Sequence, residues 1–239
     1  MRHPGGGMCE GSRMAEKILV TFWGVRGSYP VPGSDTVHFG GNTTCLEVRV
    51  GERIIIIDAG TGIIGLGNKI VREFFSSRER EELDLTLFFT HLHHDHTQGL
   101  PFFTPLFLGQ TVAHFFGPRN FDEELRTVLE RAMMPPNFPI DFHHSHSVKE
   151  ITTIKENNVV LLDTENPKPL LFNKFLDRFD YGDSSILVSL MTDYSHPRDG
   201  VFIYKIEHQS RSLVFATDVE GYVGGNSKLI HFARNTDLL

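Results

Sequence analysis

The sequence predicts an α+β domain in which two β-sheets pack together with helices on their outer faces. Two observations carry the prediction. Short apolar runs bounded by turn residues gather into two groups, residues 18–58 and residues 158–217. Helix-period segments lie between and beside those groups, the pattern of layered sheets covered by helices. A length of 239 residues is enough to bury the core of one such domain without division.

The elements follow in order. Residues 1–16 hold Gly5-Gly6-Gly7 and scattered polar residues but no apolar segment of signal-peptide type, so a disordered leader is expected before a domain spanning 17–239. Ile18 to Trp23 reads as the first strand. The glycine- and proline-rich stretch from Gly24 to Gly33 reads as a long irregular loop. Thr44 to Val50 alternates, Gly51-Glu52 turns the chain, and Arg53 to Asp58 carries four isoleucines in a row, so the first part is an antiparallel meander. After Gly60-Thr61-Gly62, the apolar residues Ile64, Ile70, Val71, Phe74 and Phe75 fit a helix ending near Ser76. Leu85 to Thr90 is a strand, and a helix is expected to begin near Thr97. Residues 121–134 read as a helix capped by Asn120 or Asp122, and Met133 to Ser147 as a loop. Strands are expected at 158–162, 185–192, 201–207 and 212–217.

Composition narrows the function. The formal net charge of -7 disfavours a protein that grips extended nucleic acid, which is usually basic on at least one face, and permits a small anionic or phosphodiester substrate held by metals. Two cysteines, Cys9 and Cys45, cannot make a disulfide framework. No apolar run approaches the roughly 18 residues that a membrane span needs. No membrane partner is therefore expected, and cytoplasmic location follows by default.

The most informative residues are His91-Leu92-His93-His94-Asp95-His96, directly after the strand Leu85 to Thr90. Imidazole nitrogens and carboxylate oxygens at these offsets suit zinc and similar ions. Alternation along an extended chain lets His91 and His93 point the same way. Once the chain turns, Asp95 and His96 can face a second ion while His94 points elsewhere. Four ligands are too few for two ions, and His196 and Asp218 stand at the ends of later strands, where they can join the site. A carboxylate such as Asp218 has two oxygens and can bridge.

The histidine cluster resembles the signature of the metallo-β-lactamase superfamily. Further stretches are similar to its tRNase Z-like and cyclic-phosphate phosphodiesterase branch: Trp23 to Ser28, Gly40 to Cys45, Ile57 to Gly62, and Phe215 to Asp218. The resemblance spans roughly residues 18–239. It implies an αββα four-layer sandwich of two packed mixed sheets, the metallo-β-lactamase fold, with metals at one edge. It also implies two divalent ions, zinc first and manganese or iron as substitutes. His91, His93 and His196 would hold one ion, Asp95 and His96 the other, with Asp218 between them. Asp58 would orient a ligand histidine by a hydrogen bond from behind. A bridging hydroxide would attack a phosphodiester or cyclic phosphate, with Asp95 anchoring it and Asp218 holding the ions at their spacing. The family pattern adds a histidine well beyond the bridging aspartate, whereas His231, in an apparent helix, is the only histidine after Asp218. The C-terminal strand, helix and last ligand are thus expected to be absent. That bears on the second ion, and leaves an apolar edge that would favour a homodimer.

Other residues have plainer readings. His143, His144 and His146 fit a surface or pocket-lining loop, and His38 and His114 fit structural roles. Gly60-Thr61-Gly62 lacks the lysine of a phosphate-binding loop and fits a tight turn. Three competing functions stay open. They are β-lactam, lactone or thioester hydrolysis by the same metals, a diiron redox module needing a flavin partner, and a truncated single-metal relic without catalysis.

Overall fold

The computed structural model describes residues 17–77, 80–164, 166–196 and 199–239. The leader expected over residues 1–16 and Pro197 of the His196 turn lie outside them.

The chain begins with the predicted meander. Strands β1 (Ile18–Gly24), β2 (Cys45–Val50) and β3 (Arg53–Ile57) pair antiparallel, and Gly51 supplies the positive φ of 54° that the β2–β3 turn requires. Helix α1 (Gly62–Ser76) then crosses to β4 (Leu83–Phe88), which pairs parallel to β3. The short helix α2 (His94–Thr97) follows, then two 3-10 turns, then β5 (Thr111–Gly117). Helix α3 (Leu125–Ala132) and β6 (Val148–Thr153) complete a six-stranded mixed sheet in chain order. The second sheet holds β7 (Asn158–Asp163), β8 (Leu170–Asn173), β9 (Ser185–Asp193), β10 (Val201–His208) and β11 (Arg211–Phe215), all antiparallel in the order β11-β10-β9-β7-β8. Helix α4 (Ser227–Phe232) closes the fold.

The period of two along each strand sorts the core into layers. In β3, Ile54 and Ile56 face a core shared with α1 and α3, while Ile55 and Ile57 face the other sheet. That inter-sheet core is filled by Leu46, Val48, Phe88, Val188, Leu190 and Tyr204 among others. On the far side of the second sheet, Met191, Ile203 and Val214 meet Leu229, Phe232 and Ala233 of α4 and its end. Helix, sheet, sheet, helix is therefore the observed order of layers. No helix among the described residues is long and apolar enough to cross a membrane.

Several element boundaries differ from expectation, each for a local reason. Helix α1 buries Ile63, Leu66, Ile70 and Phe74, whereas Phe75 is 61% exposed, so the apolar stripe is rotated from the predicted one. Helix α3 starts at Leu125 rather than near Asn120, because Asn120 and Glu123 exchange backbone hydrogen bonds in a tight turn. The helix expected near Thr97 begins at His94 instead. Strands β5, β6 and β8 were not expected. Central strand β5 (TVAHFFG) is buried on both faces and shows no alternation, while β6 and β8 are short or polar edges.

Candidate metal centre

Strands from both sheets end at one edge and deliver the predicted residues there. Asp58 follows β3, the segment 89–96 follows β4, His196 follows β9 and Asp218 follows β11. The 89–90 segment is pinned between the sheets. Tyr204 Oη donates to the Phe89 carbonyl at 2.7 Å, and the Phe202 N–H donates to the Thr90 carbonyl at 2.8 Å. The turn after β9 is tied to the one after β11, since the Glu220 N–H donates to Ser195 Oγ at 2.9 Å. Asp193 accepts from Ser195 N at 2.8 Å and from Asn226 Nδ2 at 2.5 Å, linking that turn to the start of α4.

The structure gathers two triads of ligand-capable atoms. Those of His91, His93 and His196 lie within 4.8 Å of one another, and so do those of His91, His96 and Asp218. His91 belongs to both. Its ring centroid is 4.6 Å from that of His93 and 4.1 Å from that of His96, and the His93 and His196 rings are 5.3 Å apart. Asp95 stands outside both triads. Its Oδ2 lies 3.6 Å from His96 Nε2 and accepts the Ser28 N–H at 2.8 Å.

Behind the triads, Asp58 is buried and fully engaged. Its Oδ1 accepts the Thr90 N–H, and its Oδ2 accepts Thr90 Oγ1–H and His96 Nδ1–H, each at 2.8 Å. That bond leaves His96 Nε2 facing Asp218 Oδ2 at 3.3 Å. His91 Nε2 is buried without a hydrogen-bond partner, and His96 Nε2 has only its ion pairs with Asp218 and, more distantly, Asp95. An unpartnered buried polar atom costs about 1–3 kcal/mol, and a divalent ion at His91 would remove that cost. The donor set of imidazoles and one carboxylate fits that chemistry.

The charges are also arranged for a cation. Burial, assisted by the charge of His96, lowers the His91 pKa to about 4, so its imidazole is neutral and able to donate a lone pair. Burial works against a charged His96, but Asp58 and Asp218 outweigh it and raise the pKa to about 10. The His96 bond holds the Asp218 carboxyl well below the usual carboxylate range, and Thr217 Oγ1 donates to its Oδ2 at 2.7 Å. Both Asp58 (φ 63°) and Asp218 (φ 56°) adopt the left-handed backbone region, which aspartate tolerates better than most residues.

Gly60 has a stricter role than turning. A Cβ there would fall 2.4 Å from the Asp95 carbonyl oxygen and 2.6 Å from that of Thr44. Close backbone approach under α2 is thus a second reason for glycine beside the tight turn, which Ile63 N–H to Gly60 O closes at 3.0 Å. Ala59 N–H donates to the His96 carbonyl at 2.8 Å in the same contact. Gly60→Ala should push α2 outward, lower stability by about 1–3 kcal/mol and weaken metal retention. Thermal melting with metal analysis checks this, and an alanine variant that melts and loads like the parent would contradict it.

The remaining histidines stand apart. His94 is exposed on α2, and His143 meets Glu130 at 2.9 Å beside α3. His114 is buried between Asp84 (3.1 Å) and Glu150 (3.2 Å), and His231 is exposed on α4. None of these joins a ligand-capable group among the described residues. Sequence reasoning missed Thr90, Ser28 and Thr217 as supports. Each adjoins or lies within a motif already singled out, which was the available signal. It also missed a cleft of about 180 Å³ that adjoins His91 and His93 and is lined in part by Arg119 and Phe121.

No protein-family model matches the chain. Ribonuclease Z of Pyrococcus abyssi is 27% identical over 135 residues, covering 53% of this chain and 38% of that enzyme. The match therefore spans well under half of the relative's length. A metallo-β-lactamase fold protein of Bacillus subtilis superposes with a TM-score of 0.53 at 14% identity, over 93% of this chain and 70% of that one. Human tRNase Z, short form, gives 0.52 at 20% identity, over 92% and 76%. At such identities the structural likeness speaks for the fold. With its two packed sheets and helical outer layers, the chain is a metallo-β-lactamase fold protein.

Proposed function

We propose that the chain is a metal-dependent hydrolase acting on a small phosphodiester or cyclic phosphate. One observation carries the reading: two clusters of ligand-capable atoms meet at His91, and the buried His91 Nε2 among them has no hydrogen-bond partner. His91, His93 and His196 would hold one divalent ion. His96 and Asp218 would hold a second, with Asp218 placed toward the first and Asp95 beside His96. Zinc suits this nitrogen-rich set best, with manganese or iron as substitutes. Bound there, such ions would polarise a phosphoryl oxygen and make water acidic enough to attack near neutral pH.

The chain's own residues prepare that chemistry. Asp58 fixes the His96 ring so that Nε2 faces the site. Burial keeps His91 neutral, and His96 keeps Asp218 ionised, so both donate lone pairs at neutral pH. The Ser28 N–H orients Asp95. The likeness to ribonuclease Z, whose name denotes cleavage of RNA, favours phosphodiesters over β-lactams, lactones and thioesters.

The test is hydrolysis of bis(4-nitrophenyl) phosphate by protein loaded with Zn²⁺ or Mn²⁺, run beside nitrocefin and a lactone panel. Diester turnover that needs the metal is expected. Absence of diester turnover with every divalent ion tried would overturn the reading. Metal analysis of the same samples should find two ions per chain, and a single ion would return the site to the non-catalytic, one-metal alternative.

A further inference from the structure

The cleft beside the triads holds features that metal binding does not use. It is lined by His91, His93, Arg119, Asn120, Phe121 and Asp199, among others. Its volume of about 180 Å³ is below the roughly 300–1,000 Å³ of pockets for drug-sized ligands, so it admits one ring system rather than a run of nucleotides.

Phe121 is the unusual residue. It sits in the two-residue turn closed by Asn120 N–H to Glu123 O (3.0 Å) and Glu123 N–H to Asn120 O (2.8 Å). Its φ is 49°, a conformation that glycine adopts freely and a bulky side chain resists. The other described non-glycine residues with positive φ are Ser28, Asp58, Gln209, Asp218 and Asn235, all polar. Burial does not compensate, because Phe121 is 71% exposed. Among the described residues its ring makes no aromatic contact. A strained backbone that presents a bare phenyl ring at the mouth of a reactive site points to a ligand with a flat face.

Arg119 complements it. The guanidinium is half exposed and only loosely held, with Nη2 3.3 Å from the Asp122 carbonyl and Nε 3.5 Å from Glu124. Asp95, Asp218 and Glu220 crowd the same edge. A phosphodiester anion approaching there gains from a cation, and the arginine fork matches phosphate oxygens.

We propose that Phe121 is a stacking platform for a nucleobase or aryl ring and that Arg119 meets the phosphate beside it. The cleft thereby selects phosphodiesters that carry one planar ring. This extends the hydrolase reading to its substrate and rests on it for the place of the reacting phosphate.

Calorimetry on the metal-loaded full chain tests it without turnover, using AMP and ribose 5-phosphate as probes. AMP should bind about tenfold more tightly, the order of factor that base–aromatic stacking supplies. Phe121→Leu should remove that advantage and leave ribose 5-phosphate unchanged. Arg119→Gln should weaken both probes alike. Phe121→Gly should lose the same tenfold on AMP while its melting temperature holds or rises, because the backbone strain is relieved. Equal binding of the two probes to the parent protein, or AMP binding unmoved by Phe121→Leu, would overturn the proposal. AMP binding that depends on Phe121 in a protein inert toward every diester would keep this cleft assignment and remove the hydrolase reading instead.

Discussion

His91→Ala is expected to empty the His91, His93 and His196 half of the metal site. Its loss leaves only His93 with His196 there, while His96, Asp218 and Asp95 keep the ligands of the other half. Two ligands seldom hold a divalent ion where four are usual. Mutating a residue that merely orients a ligand already costs about 10–100-fold in metal affinity, so losing one of three ligands should cost more than 100-fold at that ion. Diester turnover should fall with it, and His196→Ala, which removes another ligand of the same ion, should act alike. The stability effect should depend on metal. At a free-ion concentration 100 times the dissociation constant, binding adds about 2.7 kcal/mol to the folded state, and the variant forgoes that amount. In chelator the two proteins should melt close together, because alanine also removes an unpartnered buried nitrogen. Elemental analysis with paired melts in zinc and in chelator provides the check. A variant that keeps two ions would show that His91 is not a ligand.

Parts of this were legible in the sequence because a local rule and the global fold agreed. The four isoleucines Ile54 to Ile57 read as a buried strand, and the structure divides them between two cores. The spacing of His91, His93, Asp95 and His96 announced a cluster, and the strand-end positions of His196 and Asp218 let them reach it. Where local and tertiary demands conflict, the pattern misleads. Helix α2 begins at His94, in a segment of modest helix propensity, because Ala59 N–H to His96 O and Gly99 N–H to Ala59 O clamp it to the end of β3. Central strand β5 hides its period because both faces are buried. Phe121 was illegible for the opposite reason, since an aromatic residue in a turn position suited to glycine contradicts turn chemistry.

Metal-free protein should be most stable near pH 6.5 and weaken on both sides, through two histidines shifted in opposite directions. Folding raises the His96 pKa to about 10, so between about 6.5 and 10 the folded state binds more protons than the unfolded chain. Its contribution is complete below pH 6.5 and is lost as the pH climbs through about 10. Folding lowers the His91 pKa to about 4, so between about 6.5 and 4 the unfolded chain binds the extra proton, and acid destabilises. Asp58 is the hinge of the alkaline limb, because it accepts the His96 Nδ1–H as well as both Thr90 donors. Asp58→Ala should cost about 3–5 kcal/mol by leaving those buried donors unpaired. Asp58→Asn keeps an acceptor and tolerates the φ of 63°, so it should fold yet lose most of the alkaline slope. Bound metal should reverse the sign on that limb, since an ion competes with the proton for His96 Nε2 and binds better as the pH rises. Denaturant melts from pH 4 to 10, with and without chelator, measure both limbs. A metal-free protein whose stability stays level or increases from pH 6.5 to 10 would show that Asp58 and Asp218 do not hold a proton on His96.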